Sequence, residues 1–384
     1  MNRPYSPLQI PFHVPFVAEG TAEAITRALA AGKLSGGGVY TKACEAFLSG
    51  QMDGAHVLLT HSCTAALEAA ALLLDLKPGD EVIMPSFTFS STANAFALRG
   101  AVPVFVDIRG DTLNIDERLI EPAITQRTKA VCVVHYAGAP AEMDAIVETA
   151  RRHDLAVVED AAQALGSSYC GRPAGTLGDI ACFSFHDTKN IGCGEGGALV
   201  VRDAELARRA AILAEKGTNR TAFLRGEVDK YTWLDVGMSL LPGEVEAAML
   251  HHQLQALDAV TSRRLSLWGR YAAGLDPLRS VLKLPQFPQH IGHNGHIFAV
   301  RLPDEAGRAD LSNYLADEGI GTARHYVPLH SAPAGQAVGR VAGPMSETNA
   351  AGEGLLRLPL HSAMNEAGVD TVVERVKTYF MRRH

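Results

Sequence analysis

Short runs of apolar residues alternate with amphipathic stretches through the first two hundred residues of the chain. The runs are rich in β-branched and aromatic residues, which is typical of strands that are buried on both faces. Stretches between them, such as DERLIEPAI and MDAIVETARRHD, have helical spacing. This alternation predicts an α/β fold in which a mostly parallel sheet is covered on both sides. The runs are HVLLT, EVIMP, VPVFVDI, AVCVVHYAG, LAVVEDAAQ, IACFSFH and GALVV.

The pattern changes near residue 250. Helical spacing from Glu244 to about Leu275 predicts a long helix that carries the chain out of the first domain. The remainder mixes short strand-like and helical segments and predicts a small α+β domain. A chain of 384 residues also exceeds what a single core usually supports. We therefore predict a large domain over residues 1–250, which opens with an extended proline-rich arm, and a small domain over residues 251–384.

Polar and aromatic candidates cluster where the predicted strands end. In open α/β sheets, ligands bind beyond the carboxyl ends of the strands, so this shared placement predicts a common site. A strand runs directly into a helix at Ser62, and such a helix start can bind phosphate, although Ser62 or Thr64 could equally be an N-cap. One of Phe87 and Phe89 is expected in the core, and the other could stack on a flat cofactor. The strand-end candidates are Ser62, Cys63, Thr64, Phe87, Phe89, His135, Asp160, Ser184 and Lys189.

Lys189 is the most informative of these residues. It lies in the polar loop HDTKN between two apolar runs, where a solvated surface lysine would be the ordinary interpretation. A preceding strand, however, delivers Asp160 at its end, with Gln163 just beyond. A lysine that attacks an aldehyde, and an Asp that holds a pyridinium nitrogen, are what pyridoxal phosphate requires of a protein. The pair therefore predicts a pyridoxal phosphate site.

A glycine motif nearby suggests a different cofactor. Gly192, Gly194 and Gly197 match G-x-G-x-x-G, which in dinucleotide-binding proteins follows a strand and opens a helix. Here the motif follows a polar loop and opens the apolar run ALVV. We therefore reject a dinucleotide site.

Composition narrows the class of protein. A net charge of −7 and the lack of clustered Lys and Arg argue against nucleic-acid binding. The most apolar helical stretch carries Glu68 and ends at Asp75, so membrane insertion is not expected. Six cysteines without CxxC pairing predict buried free thiols in a reducing cytoplasm and no metal site.

Taken together, these motifs resemble the DegT/DnrJ/EryC1/StrS family of sugar aminotransferases over essentially the whole chain. The resemblance implies the aspartate-aminotransferase-like fold type I, with a mostly parallel seven-stranded sheet, and pyridoxal phosphate that passes through a pyridoxamine phosphate form. Family relatives that act as sugar dehydratases carry His in place of the lysine, so Lys189 favours transamination. The matching segments are SCTAALEAA, GDEVIMPSFTFSSTANA, VFVDI, VEDAAQALG, FSFHDTKN and GEGGAL.

The resemblance also implies a role for each cofactor residue. Lys189 would bind the cofactor covalently and move the proton, while Asp160 would keep the ring nitrogen protonated. The other implied contacts are Gln163 at the 3-hydroxyl side, Phe89 on the ring, and Ser184 with the start of the helix at Ser62, Cys63 and Thr64 on the phosphate. Many members place an Asn of the partner subunit on the phosphate. In this chain the corresponding stretch, MSLLPGE, offers Ser239 and no Asn.

For the substrate, the segments GKLSGGG, KGTNR, VDKYTW, HYVPLH and LLRLPL resemble members that aminate C4 of a dTDP-4-keto-6-deoxyhexose with L-glutamate. The family works as a homodimer with sites at the interface, which suits an exchanged loop over residues 216–243. Three alternatives remain. The enzyme could form the C4 epimer, it could act on a 3-keto sugar, or the chain could be a catalytically silent regulatory protein that binds the cofactor. The implied substrate residues are Lys216, Asn219, Arg220, His325 and Tyr326.

Overall fold

A sheet of eight strands, one more than the seven predicted, forms the centre of the protein in the computed structural model, which describes residues 9–382. The additional strand comes from the C-terminal part and has two residues, too few to show a periodic pattern. In spatial order, the strands of the sheet are β1 (His56–Thr60), β9 (Gly197–Val201), β8 (Ile180–Ser184), β5 (Ala156–Asp160), β4 (Thr128–Val134), β2 (Glu81–Pro85), β3 (Val102–Val106) and β13 (Arg340–Val341). Of these strands, β9 alone runs against the others, since it pairs antiparallel with both β1 and β8.

Both faces of the sheet are covered, as the continuous apolar runs predict. Along β2, Val82 and Met84 pack into one core while Ile83 packs into a core on the opposite face. The first core is built around the helix Cys63–Leu73, and the opposite one includes residues of the helix Met143–Arg152. The helices up to residue 254 are α1 (Thr21–Ala30), α2 (Val39–Gln51), α3 (Cys63–Leu73), α4 (Ser90–Ala97), α5 (Ile120–Ala123), α6 (Met143–Arg152), α7 (Ala204–Ala214), α8 (Arg220–Leu224) and α9 (Glu244–Leu254).

The C-terminal part has its own core and a three-stranded sheet of order β11-β14-β12. The helix predicted from Glu244 to Leu275 is divided into α9 and α10, with Gln255 and Ala256 between them. The elements are α10 (Leu257–Leu275), β11 (Phe298–Arg301), α11 (Glu305–Asp317), β12 (Ala323–Arg324), α12 (Pro333–Val338), α13 (Ser346–Gly354), β14 (Leu355–Leu358) and α14 (Glu366–Met381). A further small sheet joins β6 (Ser168–Tyr169), β7 (Arg172–Pro173) and β10 (Ile291–Gly292).

The N-terminal arm connects the two parts. Residues 1–8 of the predicted arm lie outside the described residues. Beyond them, Ile10 exchanges backbone hydrogen bonds with Gly319 and Gly321, and the Gln253 side chain accepts one from the N–H of Ala18. The arm thereby places Phe12 and His13 between the sheet and the C-terminal part, and both line the cavity described below.

Two glycines of the SGGG segment are required by close contacts within the chain. A Cβ on Gly36 would lie 2.4 Å from the carbonyl oxygen of Pro242, and one on Gly38 would lie 2.3 Å from Oε2 of Glu244. Glu244 accepts hydrogen bonds from the N–H groups of Gly38, Tyr40 and Thr41, and so caps the start of α2. Among the helices of residues 9–382, none has the length and hydrophobicity needed to cross a membrane.

Candidate active site

A cavity of about 610 Å³ opens at the carboxyl ends of the parallel strands. Its walls come from the arm, the first turns of α3 and α4, the β8–β9 loop and the C-terminal sheet. Most of the residues predicted to bind cofactor or substrate meet here, although they are spread over more than 260 positions of the chain. They are Ser62, Cys63, Thr64, Phe89, Asp160, Gln163, Ser184, Lys189, His325 and Tyr326.

Lys189 enters the cavity from the β8–β9 loop. Its N–H donates to the carbonyl oxygen of His186, which tightens the loop around it. The next residue, Asn190, is buried and bonds to the Asn294 carbonyl and to Nδ1 of His296, so the loop is fixed to the C-terminal part. Burial lowers the pKa of Lys189, while the neighbouring Cys63 and Asp160 oppose this effect. The side chain is therefore not the solvated surface lysine of the ordinary interpretation.

Asp160 lies at the end of β5 and is only 5% exposed. Oδ2 accepts a hydrogen bond of 2.7 Å from Oγ1 of Thr92, and Oδ1 accepts one of 3.2 Å from the N–H of Ala162. Burial raises the pKa of Asp160, whereas the bond from Thr92 and the charge of Lys189 favour the carboxylate. A cationic group placed against this carboxylate would hold it ionised.

The start of α3 forms the wall beside Ser184. The Ser62 side chain accepts from the N–H of Ala65 at 3.1 Å, so Ser62 is the N-cap that the sequence left as an alternative. The Thr64 hydroxyl bonds to that of Ser91. The first N–H groups of a helix have no partner within it, and they leave a site for an anion next to the Ser184 hydroxyl.

Gly197 allows the sheet to approach this helix start. A Cβ at Gly197 would lie 2.4 Å from both the Cys63 nitrogen and the Ser62 carbonyl carbon. Gly192 similarly lies against the His186 carbonyl, and Gly194 adopts a φ of +90°. The glycines of the rejected dinucleotide motif therefore serve close packing and a turn around the lysine loop.

Of the two phenylalanines that follow β2, one is buried in the core and the other lines the cavity, as expected. Phe87 is buried in a cluster with Tyr136 and contacts the Tyr326 ring edge-on. Phe89, which precedes α4, is 60% exposed and lines the cavity. An exposed aromatic face in a cavity is suited to stacking on a planar ring.

Gln163 and Tyr326 form a fixed polar part of the cavity wall. Oε1 of Gln163 accepts from the N–H of Ala137 at 2.7 Å, and Nε2 donates to the Tyr326 hydroxyl at 3.1 Å. The His325 ring stacks on the Tyr326 ring with centroids 4.0 Å apart. His135, also a strand-end candidate, instead lies in the core, where Nε2 bonds to the buried carboxylate of Glu159.

Some predicted residues lie away from the cavity of their own chain. Lys216 and Arg220 are exposed, and Arg220 pairs with Glu215. The Asn219 side chain instead bonds to the backbone of Lys230 and Thr232. Ser239 is exposed and bridges to Glu215 through its backbone. The roles predicted for these four residues in binding cofactor or substrate remain proposals, because the residues could reach only the cavity of a second chain.

Several cavity residues were not found from the sequence. Arg357, which lines the cavity, is a charged residue inside the apolar run LLRLPL, and Thr92, which bonds to Asp160 from behind the cavity wall, is a buried polar residue inside a helix. Such breaks in an apolar pattern were the available signals. His13 and His296 carry no comparable signal, because they reach the cavity only through the tertiary fold. Among residues 9–382, no group of three or more His, Cys, Asp or Glu side chains is arranged to hold a metal ion.

Comparison with known proteins identifies the class of protein to which this site belongs. Residues 16–377 match the DegT/DnrJ/EryC1/StrS aminotransferase family. The chain belongs to this family. The predicted fold is confirmed as well, because the aminotransferase TlmJ from Streptoalloteichus hindustanus superposes with a TM-score of 0.90 at 33% identity, over 98% of this chain and 100% of that one.

Other aminotransferase-family relatives extend the comparison. The chain is 35% identical to the spore coat polysaccharide biosynthesis protein SpsC of Bacillus subtilis, over 96% of each. Spr1654 of Streptococcus pneumoniae, a candidate sugar aminotransferase solved in a PMP form, superposes with a TM-score of 0.89 at 28% identity, over 96% of this chain and 98% of that one. The predictions of a sugar aminotransferase and of pyridoxal phosphate as its cofactor are confirmed at the level of the family.

The residues of this DegT-family cavity fit the cofactor. Pyridoxal phosphate needs an amine of lowered pKa, a carboxylate for its ring nitrogen, an anion site for its phosphate and a flat apolar surface for its ring. The cavity offers Lys189, Asp160, the start of α3 with Ser184, and Phe89, all along one wall-lined opening.

Proposed function

We propose that this enzyme transfers the amino group of L-glutamate to C4 of dTDP-4-keto-6-deoxy-D-glucose. The product would be dTDP-4-amino-4,6-dideoxy-D-galactose, for the biosynthesis of a cell-surface glycan. The observation that carries the aminotransferase chemistry is the presence of Lys189 and Asp160 in one cavity at the strand ends. The choice of sugar substrate rests on the segments GKLSGGG, KGTNR and HYVPLH, which resemble those of family members that aminate C4 of such a sugar.

Lys189 would hold the cofactor and then carry the proton between the amino-acid carbon and the cofactor. An amine can accept a proton only in its neutral form, and burial favours that form by lowering the pKa. Bound pyridoxal phosphate supplies a positively charged ring that takes up the electron pair left behind by the departing proton. The same lysine can return the proton at the end of the transfer, because it stays beside the reacting carbon.

Asp160 would keep the ring nitrogen protonated. Its two oxygens are oriented by Thr92 and Ala162, so the carboxylate does not rotate away from its partner. The α3 start and Ser184 would bind the phosphate, Phe89 would stack on the ring, and Gln163 would face the 3-hydroxyl group. These contacts would fix the plane of the ring while substrates exchange.

We also propose that the active form is a cytoplasmic homodimer. The loop over residues 216–243 carries apolar side chains that are more than half exposed in the single chain, including Trp233, Leu234 and Val236. Lys216, Asn219, Arg220 and Ser239 belong to the same region and would reach the partner's cavity. All six cysteines are free, which suits a reducing compartment, although Cys170 is exposed and not buried as predicted, because it lies in the turn between β6 and β7.

The test is an assay of the purified, pyridoxal phosphate-loaded protein with L-glutamate and dTDP-4-keto-6-deoxyglucose, followed by NMR of the product. The proposal predicts an axial amine at C4. An equatorial amine would assign the gluco epimer instead, and amination of a 3-keto sugar alone would move the reaction to C3. Failure to aminate any keto sugar nucleotide would contradict the proposed function.

A further inference from the structure

An arginine without an acidic partner lines the cavity. Arg357 belongs to β14, between the buried residues Leu356 and Leu358. It forms no ion pair with any carboxylate of residues 9–382, although it shares the cavity with Lys189. A partly enclosed guanidinium without a counter-charge is costly unless a ligand supplies one.

The contacts of Arg357 hold the guanidinium in place and leave donors free. Nη1 donates to Nε2 of His325, which must be the unprotonated ring nitrogen because a guanidinium cannot accept. The other ring nitrogen, Nδ1, can then donate to the Tyr136 hydroxyl at 3.3 Å. The Phe12 ring lies 4.8 Å from Cζ and covers one face. Nε is enclosed and has no hydrogen-bond partner among the described residues.

Arg264 shows what an arginine with a structural role looks like in this protein. Its Nε and Nη2 donate to the carbonyl oxygens of Gly295, His296 and Leu360. Arg301, another buried arginine, pairs with Glu347. Among the described residues, Arg357 donates to no backbone carbonyl oxygen and pairs with no carboxylate, and its acceptor is the His325 ring. Its unused donors are therefore better explained by a ligand than by the fold.

The chemistry of the free donors selects the ligand. A guanidinium matches a carboxylate through parallel N–H···O bonds, and its rigid plane fixes the orientation of the bound group. In this cavity the α3 start and Ser184 are assigned to the cofactor phosphate, and Asp160 to the ring nitrogen. An amino-acid donor brings a carboxylate close to the amino group that must reach the cofactor beside Lys189. We propose that Arg357 binds a carboxylate of the amino-acid donor, an inference that rests on the proposed aminotransferase function.

The experiment measures the donor half of the reaction alone, so no sugar is needed. The pyridoxal phosphate-loaded protein is mixed with increasing L-glutamate, and conversion of the cofactor to its amine form is followed by absorbance. Arg357→Gln is expected to raise the half-saturating glutamate concentration roughly 10- to 100-fold, since it loses a charged hydrogen-bonded pair. Arg357→Lys, which keeps the charge without the fork, should lie between. Arg324→Gln, an exposed arginine of the adjacent strand β12, is the matched control and should match wild type.

Two further arms identify the group that is bound. L-Alanine has only an α-carboxylate, so an equal loss with alanine assigns the α-carboxylate, and a loss confined to glutamate assigns the side-chain carboxylate. The amine form of Arg357→Gln should bind the keto sugar nucleotide as wild type does. An unchanged glutamate dependence, or a loss confined to the sugar, would overturn the inference. A wild-type protein that reacts with glutamate but aminates no sugar would contradict only the proposed function.

Discussion

At the scale of single residues, one hydroxyl group helps to keep Asp160 ionised. The carboxylate is almost fully enclosed, and burial alone would favour its neutral form by raising the pKa. The bond from Thr92 opposes that effect, and it also sets the direction in which Asp160 points. Thr92 acts through Asp160 and is a positioning residue.

Replacing Thr92 with Val tests this role, because Val has the same shape and no hydroxyl. We expect kcat to fall about 10-fold, because the loss of a hydrogen bond to a charged group changes a free energy by an amount that corresponds to about that factor in rate. The KM for glutamate should change less. Steady-state kinetics over a range of pH measures both quantities. Thr348→Val is the matched control, because Thr348 is fully buried and its hydroxyl has no partner among the described residues. Equal kcat values for Thr92→Val and wild type would contradict the role.

The predicted residues that reach the cavity mostly follow a rule of the fold, whereas the missed ones do not; His135 follows the rule and nevertheless lies in the core. Lys189, Asp160 and Ser184 stand at strand ends, where parallel sheets place their ligands. Arg357 lies in the middle of a short strand of the other sheet, and it reaches the cavity only because the tertiary fold brings β14 and the β8–β9 loop to the same cavity. No local pattern encodes that docking.

At the scale of elements, a strand from the C-terminal part of the chain forms one edge of the central sheet. The two-residue strand β13 pairs with β3, and its Arg340 donates through Nε and Nη2 to the enclosed carboxylate of Glu81. Arg127 and Thr125 complete the contacts of that carboxylate. The hydrogen bonds from Arg340 are the main reason that the pKa of Glu81 is lowered to about 2.

Glu81→Gln should therefore destabilise the protein in a pH-dependent way. The folded pKa is below the unfolded one, so the stabilisation is present above about pH 4.5 and is lost as the pH falls towards 2. We expect a loss in the free energy of unfolding on the order of 3 kcal/mol at pH 7, which shrinks at pH 3. Urea unfolding at both pH values measures it, with the exposed Glu374→Gln as control. The same loss at both pH values would show that the ionised carboxylate is not the cause.

The prediction of elements succeeded where the apolar pattern was long. The strands predicted from residues 56 to 201 all belong to the central sheet, and all but β1, whose first residues are exposed or half-buried, are buried almost throughout. The added strand β13 was not predicted, since two residues carry no periodicity. The break at Gln255 and Ala256 was also missed, because helical spacing continues across it.

At the scale of the whole molecule, the loop around Trp233 predicts an assembly. Trp233 is 75% exposed, and replacing Trp233 and Leu234 with Ser removes no core contact of the single chain. If the loop covers a partner, the double variant should elute as a monomer in size-exclusion chromatography with light scattering, and it should lose most of its activity. Met381→Ser, at another exposed apolar position, should remain dimeric. A dimeric double variant would contradict the proposed interface.

The central claim is that Lys189 is the residue that binds pyridoxal phosphate. Borohydride reduction of the loaded protein makes the bond between lysine and cofactor permanent, and peptide mass spectrometry then locates it. We predict the cofactor adduct on the peptide that contains Lys189, because this amine lines the cavity and its pKa is lowered by burial. Lys189→Ala should carry no adduct. An adduct on another lysine, or an undiminished adduct in Lys189→Ala, would contradict the account.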